Sequence, residues 1–139
     1  MQNIKIIEKL QSHHIQQLVS LYKKEFWCNQ RQMADVEIML KNSDIVLGIV
    51  DENNNLIGFC RLLTDYCYKA TLYDLIIHPQ WRSHKLSTQL MDTVINHPEL
   101  KSIEHIDLNC LPEMVPYYEK WRFTDKVDKI IHMRRYHQQ

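Results

Sequence analysis

Three short apolar runs, Ile45–Val50 (IVLGIV), Leu56–Leu63 (LIGFCRLL) and Leu72–Ile77 (LYDLII), are each bounded by polar residues and predict β-strands. The first two flank Asp51-Glu52-Asn53-Asn54-Asn55, residues that tolerate left-handed backbone, and so predict a hairpin. A second connection, Thr64–Ala70, leads antiparallel into the Leu72 strand, which reads as covered on both faces and ends at His78-Pro79 because proline cannot donate to a ladder. From Leu86 the apolar spacing changes to that of a helix face, Leu86, Leu90, Met91, Val94 and Ile95, and Asn96-His97-Pro98-Glu99 stops it. Ile103–Cys110 is then a strand lying parallel to the Leu72 strand, since a helix joins the two. Pro112–Trp121 predicts a short helix, and Phe123–Tyr136 a closing hairpin. Upstream, Asn3–Leu10 predicts an edge strand. Ser12 caps a helix with Ile15, Leu18, Val19 and Tyr22 on one face, running to about Glu25. After the break Phe26-Trp27-Cys28-Asn29-Gln30, a second helix carries Met33, Val36 and Leu40 and ends near Asn42-Ser43. The pattern predicts an α/β (α+β) fold occupying residues 1–139 as one domain, with about four helices and a mixed, mostly antiparallel central sheet of six to seven strands.

The junction between the Leu72 strand and the next helix carries the most chemistry. Gln80–Lys85 has no apolar residue except Trp81, and Arg82, His84 and Lys85 place positive charge where a helix N-terminus presents its free amides. The chemical reading is an anion site for a phosphate or pyrophosphate; the alternative is a solvated basic loop. Asp74 is a lone acid inside an apolar strand. It reads as a functional carboxylate or as a buried acid tied to a neighbouring strand or an arginine.

Composition narrows the field. Seventeen basic and seventeen acidic residues give zero formal charge, so no footprint for nucleic acid or an anionic membrane is expected. The longest apolar run is far short of a membrane span and the N-terminal MQNIKIIEKL has no secretory pattern, which predicts a soluble cytoplasmic protein. The four cysteines, Cys28, Cys60, Cys67 and Cys110, are scattered and read as buried reduced thiols. Of eight histidines only His13 and His14 are close together, and no metal site is expected. With two glycines in the chain, Asn, Asp, Ser and Pro must make the turns.

Along essentially its whole length the chain resembles the GNAT superfamily of acyl-CoA-dependent N-acyltransferases. Three pieces carry the resemblance. Ile77-His78-Pro79-Gln80-Trp81-Arg82-Ser83-His84-Lys85-Leu86-Ser87 is similar to the family's strand end and its Arg-x-x-Gly-x-Gly pyrophosphate loop. Asp74, in Tyr73-Asp74-Leu75-Ile76-Ile77, stands where such proteins often carry an acid. Tyr117-Tyr118-Glu119-Lys120-Trp121-Arg122-Phe123 is similar to the Tyr-x-x-x-Gly-Phe ending.

The resemblance implies that acetyl-CoA, a cosubstrate, lies in a splay between the Leu72 and Ile103 strands. Its pantetheine would pair with the main chain at Leu75, Ile76 and Ile77, its pyrophosphate would rest on Arg82, Ser83, His84, Lys85, Leu86 and Ser87, and Asn109 would be a further contact. Tyr118 matches the residue that protonates the departing thiolate. Asp74 would accept or orient the proton of a primary amine attacking directly, and Trp27 and Arg31 fall where similar proteins shape the acceptor site, although loop aromatics also serve simply to cover a core. No metal is implied, and similar proteins are often homodimers. The chain departs from the pattern at three glycines, replaced by Lys85, Ser87 and Arg122. The alternative to an N-acetyltransferase is therefore a catalytically silent GNAT-like domain that binds CoA weakly, or a protein partner.

Overall fold

The computed structural model describes residues 3–137. The chain divides into two compact units, Met1–Asn109 and Cys110–Gln139.

The first unit is built on one sheet whose strands lie in chain order: β1 (Lys5–Ile7), β2 (Ile45–Val50), β3 (Leu56–Thr64), β4 (Lys69–Ile77) and β5 (His105–Leu108). The first four are antiparallel neighbours and β4–β5 is parallel, as a helical crossover requires. Both hairpin turns are made without glycine. Asp51 Oδ1 accepts from the amides of Asn53 and Asn55, both at 2.9 Å, with Asn54 left-handed at φ 64°. Asp65 Oδ1 accepts from the amides of Cys67, Tyr68 and Lys69 at 2.7–3.0 Å, with Tyr66 at φ 61°. The second turn is tighter than the sequence suggests, so β3 runs to Thr64 and β4 starts at Lys69.

Helices α1 (Ser12–Lys23) and α2 (Met33–Lys41) cover one face of this sheet. Gln11, not Ser12, is the cap of α1, and its amide donates to Nδ1 of His14 at 3.1 Å. The alternation of the strands lines up Gly48, Phe59 and Ile76 across β2, β3 and β4, and Phe59 and Ile76 pack with Leu18, Val19, Leu21 and Tyr22 of α1. Helix α3 (Leu86–Ile95) buries Leu86, Leu90, Met91 and Val94 and packs on β2, β3 and β4. Burying one such Leu or Met contributes about 2–3 kcal/mol.

The second unit contains a 3₁₀ turn, Pro112–Met114, leading into α4 (Val115–Glu119). Beyond Leu108 the described residues form no strand, so the sheet has five strands rather than six to seven, and the closing hairpin predicted over Phe123–Tyr136 is absent. Its turn is present, with Asp128 at φ 61°, but one arm reads Phe-Thr-Asp-Lys-Val and offers few apolar cross-strand pairs to the other. A two-stranded ribbon without an apolar face is marginal in water.

Two of the four thiols are not buried as the sequence suggests: Cys28 and Cys60 are, but Cys67 lies in the β3–β4 turn and Cys110 is exposed. No helix among the described residues is long and apolar enough to cross a membrane.

Candidate active site

Strand β4 is irregular where the chemistry was expected. Phe59 pairs with Ile76 and Arg61 with Tyr73, so Cys60 alone opposes both Asp74 and Leu75: a bulge with one extra residue in β4. Asp74 takes the left-handed position of that bulge, φ 60°, a conformation that Asp and Asn tolerate better than other side chains. A regular strand would send Asp74 to the face opposite Tyr73. The bulge re-aims it.

The re-aimed carboxylate is 6% exposed and gathers three donors on one oxygen. Tyr22 Oη and Arg31 Nη1 donate to Oδ2 at 2.8 Å each, and Arg61 Nε donates at 2.9 Å. Burial alone would raise the proton affinity of Asp74, but hydrogen bonds and charge from Arg61 and Arg31 outweigh it and hold the carboxyl below its ordinary range. Burial and the adjacent carboxylate push the Tyr22 phenol upward, and burial raises the Cys28 thiol to about 11, so both stay protonated at neutral pH. The cations are themselves held by aromatic faces. Arg61 lies 4.8 Å from the Tyr73 ring centre, and Arg31 lies 4.6 Å from that of Tyr22 and 5.8 Å from that of Trp27.

Past this cluster β4 leaves its parallel neighbour. The β4–β5 ladder ends at Leu72 opposite Leu108, while β4 continues to Ile77 beside β3. The main chain of Leu75–Ile77 thus extends beyond the last β5 pair, and Asn109 is the exposed residue directly after β5.

The chain then enters the basic loop. The His78 amide donates to Ile57 O at 2.8 Å and its Nδ1 caps the turn Pro79–Trp81 by accepting from the Gln80 amide at 3.1 Å. Arg82 Nε donates to Ile77 O at 3.3 Å, and Arg82 pairs with Glu25 at 3.6 Å. Ser83 and Lys85 are left-handed, φ 72° and 61°, and Lys85 is the N-cap of α3. Lys85 occupies the first glycine position of the Arg-x-x-Gly-x-Gly pattern, so the backbone keeps a glycine-type conformation although the glycine is gone. Ser87, at the second, lies within α3. A left-handed L-residue costs about 1–2 kcal/mol, partly offset by glycine's greater freedom when unfolded. Lys85→Gly should therefore stabilise the chain by roughly 0.5–1 kcal/mol in urea denaturation, and a loss of stability would refute this reading of the loop.

In the second unit Tyr118 is half-buried, its ring edge-on to Tyr117 at 5.2 Å and to Phe123 at 6.3 Å. Arg122, at the glycine position before Phe123, is left-handed as well, φ 70°.

Of the residues singled out in the sequence, Asp74, Arg31 and Trp27 are brought together, and the residues from Leu75 to Ser87 form one continuous path along the β4 edge into α3. Tyr22 and Arg61 were missed as site residues. Tyr22 was read only as a core position on α1; Arg61 was the one base within an apolar strand, a signal matching the lone acid of the next. A 270 Å³ cavity lined by Lys5, Lys9, Gln11, His14, Asp51 and Asn54, among others, opens beside β1, at the sheet edge opposite β5. There His14 Nε2 lies 3.1 Å from Asn54 O, clamping the β2–β3 turn to α1. No group of three or more His, Cys, Asp or Glu among the described residues is arranged to hold a metal ion.

The strand β4 is thus bulged, parts from β5 and runs through a left-handed loop into α3, a mixed α/β arrangement. The acetyltransferase (GNAT) domain matches residues 9–132, and the chain belongs to that family. It is 30% identical over 120 residues to the uncharacterized N-acetyltransferase ycf52 of Pyropia yezoensis, covering 81% of this chain and 69% of that protein. The fold is shared with a putative GNAT-family acetyltransferase from Xanthomonas campestris (TM-score 0.83, 23% identity, 96% and 93% of the two chains). It is also shared with the aminoglycoside N-acetyltransferase AAC(6')-Iy, solved in complex with CoA (TM-score 0.71, 16% identity, 97% of each chain).

Proposed function

We propose that the chain transfers an acetyl group from acetyl-CoA to a primary amine by direct attack. The observation that carries this reading is the run from the free end of β4 into the left-handed loop and the first turn of α3. These residues fit a thioester with a pyrophosphate tail. Main-chain groups of Leu75, Ile76 and Ile77 would hold its amide-bearing arm as an added strand, with Asn109 flanking. The backbone amides at the start of α3, the Ser83–Ser87 turn and the Lys85 ammonium would hold its phosphates. Acetyl-CoA supplies an activated acetyl group when bound.

The chain's own residues then divide the remaining work. Tyr118 donates its phenolic proton to the departing thiolate as general acid. Asp74 orients instead of accepting a proton: three donors occupy its Oδ2 and its proton affinity is low, so it fixes Arg31 and Tyr22 at the edge of β4. Trp27 and Arg31 face the acceptor, which must arrive as a neutral amine; as the new C–N bond forms and the C–S bond breaks, the proton the nitrogen loses passes through solvent and replaces the one Tyr118 gave to the thiolate.

Acetyl-CoA binding is the direct test of the cofactor half of this reading. A ligand at about 100 times its dissociation constant stabilises its protein by roughly 2.7 kcal/mol, so a clear upward thermal shift is expected with saturating acetyl-CoA. Absence of any shift at millimolar acetyl-CoA would overturn the assignment of the loop.

A further inference from the structure

The cluster on Asp74 is not electrically balanced. Asp74 is its one acid, and Arg31 and Arg61 are its bases, leaving one cation over. Arg61 is nearly enclosed, its side chain 12% exposed, with Nε on Asp74 and Nη1 within 3.4 Å of Ser43 Oγ. Arg82 lies outside this cluster, paired with Glu25 at 3.6 Å and with Nε on Ile77 O. The surplus charge therefore reaches solvent at Arg31, whose side chain is 32% exposed. Arg31 is also held in place: Nη1 donates to Asp74, and its guanidinium lies over Tyr22 and near Trp27. A guanidinium pinned at one nitrogen and supported by rings keeps its remaining N–H donors in a fixed fork, the arrangement that favours a planar anion such as a carboxylate.

We propose that Arg31 binds a carboxylate on the acceptor, so that the preferred substrates are amines carrying a nearby carboxylate, free amino acids or dipeptides, in place of simple amines or polyamines. This rests on the acetyl-transfer reading. The position suits it, because Arg31 is held by Asp74, the residue adjoining the Leu75–Ile77 edge assigned to the thioester. Carboxylate and reacting amine would thus be held one short side chain apart. A polycationic acceptor would meet the surplus positive charge and be disfavoured by it.

The experiment uses the full chain with acetyl-CoA and paired acceptors, each amino acid or dipeptide against its own C-terminal amide. A charge-assisted contact predicts kcat/KM at least about tenfold higher for the carboxylate member of a productive pair. Arg31→Gln should abolish that preference by raising the acceptor KM while leaving the KM for acetyl-CoA unchanged, and Arg31→Lys should restore part of it. Equal rates on acids and amides would overturn the inference and leave the acetyltransferase reading intact. Binding is measured separately, by thermal shift of the wild-type chain with each acid and amide. Selective stabilisation by the acids with no acetyl transfer would support the anion site and sink the transfer reading, whereas no selectivity in either assay would sink the inference.

Discussion

Asp74→Asn is expected to lower the unfolding free energy by about 3–5 kcal/mol, toward the smaller figure because Arg31 keeps a third of its surface in water. Asparagine has the same size and tolerates the same left-handed backbone, so neither packing nor the bulge accounts for the loss. What disappears is the one charge that Arg31, Arg61 and the Tyr22 hydroxyl share. Removing one partner of a buried ion pair leaves the others desolvated without compensation. The pH dependence has a definite sign. Asp74 has a folded-state affinity for protons below its unfolded value, so its contribution is complete above about pH 4 and is lost as the pH falls through the folded value. Denaturation curves of wild type and variant should therefore be far apart at pH 7 and converge in strong acid. A neutral-pH difference under 1 kcal/mol would mean that the cluster is solvated and contributes little.

Tyr118→Phe should reduce turnover tenfold or more with acetyl-CoA binding retained, the low end of what general acid catalysis contributes. The substitution keeps the ring that meets Tyr117 and Phe123, so the second unit retains its aromatic packing. The measurement is single-turnover acetyl transfer, which isolates chemistry from product release. An unchanged rate there would remove Tyr118 from the role of proton donor. A fall in acetyl-CoA affinity without a fall in rate would assign it to binding.

Much of this architecture was readable because its signals are local. The β2–β3 hairpin follows from two apolar runs around five turn-forming residues, and the β4–loop–α3 unit from a change of period at Leu86. Of the three glycine positions that the family resemblance points to, Lys85 and Arg122 have left-handed backbone, while Ser87 is helical. What could not be read depends on register. Asp74 was visible as an anomalous acid, but its partners Arg61 and Arg31 lie 13 and 43 residues away. They meet it through a one-residue bulge that reverses the direction of its side chain. The hairpin after Phe123 was overread for the opposite reason: a turn signal and a few apolar residues were present, but not enough cross-strand partners to make a ladder.

Acetyl transfer is checked by following thiol release from acetyl-CoA in the presence of an amine panel while mass spectrometry detects the acetylated amine. Both signals should appear together, require an amine, and fall at least tenfold in Tyr118→Phe. A chain that binds acetyl-CoA yet produces no acetylated amine from any member of the panel would contradict the proposed transfer.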